Sequence, residues 1–210
     1  MITSPDSRFE RRLWRSGLKY VIGLDEVGRG ALAGPVAVGA VCLPNQLQLK
    51  RDLRGVRDSK LLTPDEREYL APRIRAVAIA WGVGFASSEE IDWLGIVPAT
   101  RLAALRALEN LAVTPEYLLT DFRLELPELD LPQTAIVKGD RLCLSIAAAS
   151  ILAKTARDAY MCELDARYSQ YGLAQHKGYG TLLHRRAILQ AGYSPIHRRT
   201  FAVKHFGAGK

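Results

Sequence analysis

Four carboxylates stand where apolar segments stop: Asp25 and Glu26 after YVIGL, Asp121 after YLLT, and Asp140 just behind Lys138-Gly139. A carboxylate at the end of a buried strand is held rigidly among apolar neighbours, and strand ends are where α/β sheets gather their sites. Acids that converge repel one another, and burial raises their pKa, unless a cation neutralises them. An all-oxygen environment suits hard ions such as Mg²⁺ and Mn²⁺. Two such ions ~3.5–4 Å apart can clamp the attacking water and the leaving oxygen of a phosphodiester. Taken singly, Asp121 or Asp140 reads as a helix cap or turn residue. The adjacent pair Asp25-Glu26 is a poor way to build a turn and is the stronger signal. Neighbouring strand residues face opposite ways, so a shared site calls for a break in regular strand geometry at Asp25, which Gly28 and Gly30 would permit.

The glycines at 28, 30 and 34 loosely mimic a dinucleotide fingerprint. Two acids directly before the loop would repel a pyrophosphate, and the following PVAV reads as strand where that motif needs a helix. Glycine-bounded backbone at a strand end instead lets another backbone approach closely; the plain alternative is a hairpin turn. The histidines at 176, 184 and 197 match no metal-binding spacing and read first as satisfied structural residues, with phosphate contact or proton transfer as the alternative. In Arg157-Asp158, a structural ion pair is at least as good a reading as catalysis. Cys42, Cys143 and Cys162 are odd in number, lack CxxC spacing and sit in apolar contexts, so all three read as buried, inert thiols. No nucleophilic triad is suggested.

The elements that must position these residues are legible in outline. Strands are expected over residues 20–25, 35–43, 76–86, 117–120 and 134–137. One helix should start at Thr63, a cap followed by Pro64. Another runs over residues 98–111, with Leu102, Leu105, Leu108 and Leu111 at helical spacing. A long helix over 146–168 carries small residues that allow close packing. Early strands with short connections, followed by strands alternating with helices, describe a mixed-sheet α/β domain. The 210 residues suit one domain: a core over about 20–170 and a basic region over about 171–210 that packs as helices and loops beside the sheet.

The net charge of +7 is concentrated late in the chain. No acid follows Asp165, whereas Arg167, Lys177, Arg185, Arg186, Arg198, Arg199, Lys204 and Lys210 do. Tyr168, Tyr171, Tyr179, Tyr193, Phe201 and Phe206 are interleaved with them. That is an electrostatic footprint for a polyanion, or simply a cationic surface. The first fifteen residues are charged and lack the apolar core of a signal peptide. The longest apolar run is broken by Gly34, Pro35 and Gly39 and falls short of the ~20 residues a membrane helix needs. A soluble, cytoplasmic protein is expected.

Residues 25–36, DEVGRGALAGPV, resemble the signature of the ribonuclease HII family. Five further blocks follow in order: DSKLLT from Asp58; Ile91-Asp92 with Gly95-Ile96 and Ala99-Thr100; Lys138-Gly139-Asp140 with SIAAASILAK and Arg157-Asp158; HKGYGT from His176 with His184; and His197-Arg198 with Thr200-Phe201. The resemblance implies a ribonuclease H-like fold: a mixed five-stranded sheet flanked by helices, with a C-terminal helical basic region. It implies an endoribonuclease that hydrolyses the RNA strand of RNA–DNA hybrids and cuts 5′ of single ribonucleotides embedded in duplex DNA. Two Mg²⁺ or Mn²⁺ ions would serve, leaving 3′-hydroxyl and 5′-phosphate ends. Asp25, Glu26, Asp121 and Asp140 become the catalytic, metal-binding acids. Gly28, Arg29 and Gly30, with Tyr179, become the elements that read a ribonucleotide, whose 2′-OH both donates and accepts hydrogen bonds. Ser59 and Lys60 read as phosphate contacts or organisers of the acidic site, with a plain surface turn as the alternative. The substrate is the implied partner; a monomer with no membrane association is expected, and a protein partner is left open. In one departure, Phe122 follows Asp121 where the family usually has glycine. The rivals are a junction resolvase of the same broad fold and a non-enzymatic duplex-binding protein.

Overall fold

The structure, a computed structural model, describes residues 4–122 and 124–201; Lys204, His205, Phe206 and Lys210 of the basic segment lie outside the described residues. In chain order come α1 (Arg8–Arg15), β1 (Val21–Val27), β2 (Val36–Cys42), α2 (Leu49–Asp52) and a 3₁₀ turn (Ser59–Leu61). Then follow α3 (Pro64–Val77), β3 (Ala80–Ala86), α4 (Ser88–Leu94), α5 (Ile96–Glu109), β4 (Tyr117–Asp121) and β5 (Gln133–Ile136). After these come α6 (Gly139–Leu142), α7 (Leu144–Arg167), a 3₁₀ turn (Ser169–Tyr171), α8 (Leu173–His176) and α9 (Leu182–Ala191).

The five strands form one mixed sheet in the order β3-β2-β1-β4-β5. β1, β2 and β3 pair antiparallel, whereas β1, β4 and β5 run parallel. Strand alternation divides the core between two faces. Val21 and Val41 pack with Ile146, Ala147, Ala148 and Ala149 of α7. Ile22, Leu24, Val36, Val38 and Ala40 pack with Ala99, Ala103, Ala104 and Ala107 of α5 on the opposite face. Both helices press onto the sheet through small residues: a Cβ on Gly39 would lie 2.2 Å from the Ala149 carbonyl oxygen. α3 begins as expected, with Thr63 and Glu66 forming a reciprocal capping box and Pro64 in the first turn.

Two expectations need correction. The apolar run 76–86 spans two elements: α3 continues to Val77, Ala78 caps it, and β3 starts at Ala80. Cys42 and Cys143 are buried, but Cys162 is exposed on α7, because its apolar sequence neighbours belong to the helix's other face. The C-terminal region packs as short helices and loops, and the bridges Ala31↔Tyr179 and Ala33↔His197 tie it to the segment between β1 and β2. Arg198, His184 and His197 of this region point inward, each at most 1% exposed.

Candidate active site

β1 carries Asp25 and Glu26 without the expected break. Its pairing with β2 continues through Asp25↔Gly39 and Glu26↔Val38 to Val27↔Ala37. The acids therefore leave the strand on opposite faces, Asp25 toward α7 and Glu26 toward the α5 side. They meet because β1 overhangs its other neighbour: pairing with β4 ends at Leu24↔Thr120. Both side chains reach the gap beyond that point, where Asp121 closes β4. Asp25, Glu26 and Asp121 each offer a carboxylate oxygen within 4.8 Å of the others. Asp140, in the first turn of α6, is outside that group but close enough for its charge to act on Asp25. Phe122 is exposed, and its φ is not positive, so the position after Asp121 is filled here without a left-handed backbone.

Charge is crowded here. Burial, then repulsion from Glu26, pushes Asp25 well above the usual carboxylate range, while the Ser150 hydroxyl, donating to it, pulls the other way. Burial raises Glu26 as well, against the opposing pull of Arg29. Asp140 is raised by burial and by Asp58, and Lys60 opposes that shift. Lys60 Nζ lies 3.8 Å from Asp140 Oδ2. Burial would lower the Lys60 pKa, but Asp25, Asp140, Asp58 and Asp121 together raise it.

DSK is fixed by its own chemistry. Asp58 accepts from the Lys60 amide at 3.0 Å and from Arg141 Nε at 3.1 Å. Ser59, 1% exposed, pairs its hydroxyl with that of Ser150 at 2.8 Å. Ser150 also favours the charged form of Asp25, so this pair of hydroxyls backs the acid from within. Ser150 was legible in the sequence only as a small packing residue.

A cleft of about 510 Å³ is lined by Glu26, Gly28, Arg29, Ser59, Lys60, Lys154 and Tyr179, among others. Gly28 has φ +91°, and a Cβ there would lie 2.1 Å from Arg157 Nε. Gly30 faces open space. Arg29 reaches back to Glu26 at 3.5 Å. Tyr179 is half-buried, its ring centroid 5.6 Å from Lys154 Nζ and 5.4 Å from Arg157 Cζ.

Two fully buried arginines, to which the sequence reading gave no role at this loop, hold it. Arg157 donates to the carbonyls of Pro35 (2.8 Å), Lys177 (3.0 Å) and Ala33 (3.4 Å). Arg198 donates to those of Gly34 (3.0 Å) and Arg29 (2.8 Å). Asp158 pairs with Lys154 and Arg67 rather than with Arg157. Its ion pairs are made with other partners than its sequence neighbour.

The donor set fits a hard divalent cation. Glu26 Oε2 is buried without a hydrogen-bond partner among the described residues. Such an orphaned anionic oxygen beside two further carboxylates is costly unless a cation satisfies it.

A mixed five-stranded sheet with helices on both faces and acids at the ends of its parallel strands defines a ribonuclease H-like fold. Residues 22–206 match the family described as Ribonuclease HII, and the chain belongs to that family. It is similar to the Ribonuclease HII of Dehalococcoides mccartyi (strain ATCC BAA-2266 / KCTC 15142 / 195), with 57% identity over 194 residues, covering 92% of this chain and 90% of the relative. The ribonuclease H2 from Pyrococcus horikoshii OT3 superposes with a TM-score of 0.69 at 27% identity, covering 86% of this chain and 93% of that one. Bst-RNase HIII, solved in complex with Mn²⁺, shares the fold with a TM-score of 0.68 at 21% identity, over 87% of this chain and 67% of that one. The chain is thus a ribonuclease H-type endoribonuclease acting on RNA–DNA hybrids, in a family that uses divalent metal ions. Among the described residues, no helix is long and apolar enough to cross a membrane.

Proposed function

We propose that this enzyme also cuts duplex DNA on the 5′ side of a single embedded ribonucleotide, leaving 3′-hydroxyl and 5′-phosphate ends. Asp25, Glu26, Asp121 and Asp140 are the residues that would hold two Mg²⁺ or Mn²⁺ ions. When bound, such ions supply Lewis acidity toward the scissile phosphate and its attacking water. The protein's own part is positioning. Ser59 and Ser150 orient Asp25, and Lys60 steadies Asp140. Gly28, Arg29 and Gly30 admit the ribose closely, so that backbone groups and the Tyr179 hydroxyl can meet its 2′-OH, with the tyrosine ring against the next sugar or base.

One observation carries this reading: a single cleft is lined by a carboxylate of the acidic group, by the glycine-bounded loop and by Tyr179. Ribose recognition and phosphate chemistry are thereby next to each other. A monomer is the proposed working form, and the three free thiols suit a reducing cytoplasm.

The test is a DNA duplex carrying one ribonucleotide, incubated with Mg²⁺ or with a chelator, with both product ends mapped. Metal-dependent cutting 5′ of the ribonucleotide supports the proposal. Cutting of four-way junctions with none at ribose would favour a resolvase. Tight binding indifferent to metal, without products, would favour a binding protein.

A further inference from the structure

The three buried histidines form an ordered group whose proton positions can be read from their partners. The Tyr179 carbonyl oxygen accepts from the Thr181 amide at 2.8 Å and lies 3.1 Å from His184 Nδ1. A carbonyl only accepts, so His184 carries its proton on Nδ1 and its Nε2 is an acceptor. At the far end, the Ser194 amide donates to His197 Nδ1 at 3.1 Å, and the Ser194 hydroxyl, which can also donate, lies 2.8 Å from the same nitrogen. An amide N–H only donates, so His197 carries its proton on Nε2. The two Nε2 atoms face each other at 3.1 Å. Backbone groups at opposite ends thus demand the same direction: Ser194 to His197, His197 to His184, His184 to Tyr179.

The third ring braces the second. His176 stacks on His184 with centroids 4.3 Å apart and planes at 19°. Its own nitrogens are occupied, Nδ1 by the Gly178 amide at 3.2 Å and Nε2 by the Tyr171 carbonyl at 2.8 Å. The chain also joins two residues already tied to the segment leaving the glycine-bounded loop, through Ala31↔Tyr179 and Ala33↔His197. Protonating His184 would set its Nε2–H against the Nε2–H of His197, whereas a proton on His197 Nδ1 would face the Ser194 amide and turn to the Ser194 hydroxyl. Burial, which holds both at a pKa of about 4, agrees with neutral rings.

We infer that His197 and His184 are positioning residues, a directed chain of neutral imidazoles that fixes the backbone of Tyr179 at the mouth of the cleft. Its functional consequence rests on the reading of Tyr179 as the ribose contact.

The experiment compares the wild type with His184→Ala, His184→Asn (whose amide nitrogen can replace Nδ1), His197→Gln (whose amide nitrogen can replace Nε2) and Tyr179→Ala. Two quantities are measured: hydrogen exchange at the Thr181 amide in the free protein, and kcat/KM on a single-ribonucleotide duplex relative to a uniform hybrid. In His184→Ala, exchange should quicken and the kcat/KM ratio should fall about tenfold or more, mainly through kcat. His184→Asn and His197→Gln should keep both near wild type. A His184→Ala protein that melts earlier but keeps wild-type exchange and selectivity would overturn the inference, leaving the rings as fold supports only. Loss in His184→Asn equal to that in His184→Ala would overturn the directed chain. Quickened exchange with selectivity intact in both His184→Ala and Tyr179→Ala would uphold the positioning and sink the ribose role of Tyr179.

Discussion

Asp121 Oδ1 accepts the backbone N–H of Gly139 at 2.7 Å, so the end of β4 is tied to the turn that presents Asp140. The placement of the two acids is thereby coupled. A Cβ on Gly139 would lie 2.7 Å from Ile146 Cδ1 and 3.3 Å from Asp121 Oδ1. Gly139→Ala should therefore cost about 1–3 kcal/mol through overpacking. It should lower cleavage more than the loss of folded protein accounts for. Thermal melting and initial rates, measured together, check this.

Asp25→Asn separates function from stability. The asparagine keeps a partner for Ser150 but removes one of the mutually repelling buried charges. Cleavage should fall about a hundredfold or more, the scale on which loss of a well-placed electrostatic group acts. The metal-free protein should gain about 1 kcal/mol, which is ~2–4 °C in Tm for a chain of this size. Unchanged cleavage would remove Asp25 from the site, and an unchanged or lower Tm would show that its charge is not a burden.

His184 and His197 have pKa values near 4, against an ordinary 6.5. Between those values the unfolded chain binds protons that the native rings refuse, so stability rises with pH across that window. The contribution is complete above 6.5 and lost as pH falls toward 4. Urea midpoints at pH 5 and pH 7.5 should differ more for the wild type than for the double variant His184→Asn, His197→Gln. Equal differences would count against the buried neutral rings.

How much of this could be read in advance depended on how locally each feature is encoded. The acids were legible because apolar segments end on them, and the start of α3 because Thr63, Pro64 and Glu66 are a local cap. A structural role for the histidines could be named, but not their directed chain, because its ends are backbone groups brought together only by folding. Arg157 and Arg198 were opaque for the same reason: their carbonyl partners lie far along the chain. The regular strand through Glu26 was missed because the overhang of β1 past β4 is a matter of register, which residue types alone do not set.

Gly28→Ala should be poorly tolerated for two separable reasons: a φ of +91° and a collision with Arg157. The backbone conformation alone costs about 1 kcal/mol or more. Arg157→Ala should relieve the collision without restoring activity, because the carbonyls of Pro35, Ala33 and Lys177 lose their donor. A double-variant cycle on Tm measures the coupling.

Cys162 is the exposed thiol, with Lys177 Nζ 3.2 Å from its sulfur. Burial pushes Cys42 up to about 11 and Cys143 well above its ordinary range. Alkylation of the native protein should modify Cys162 rapidly and the other two only on unfolding, as peptide mass mapping would show. Rapid native labelling of Cys42 or Cys143 would contradict their burial.

The most direct measurement is anomalous scattering from crystals of the protein soaked with Mn²⁺. Strong peaks ringed by oxygens of Asp25, Glu26 and Asp121, with Asp140 beside them, are the predicted result. Well-ordered carboxylates with no peak among them at saturating Mn²⁺ would contradict the account.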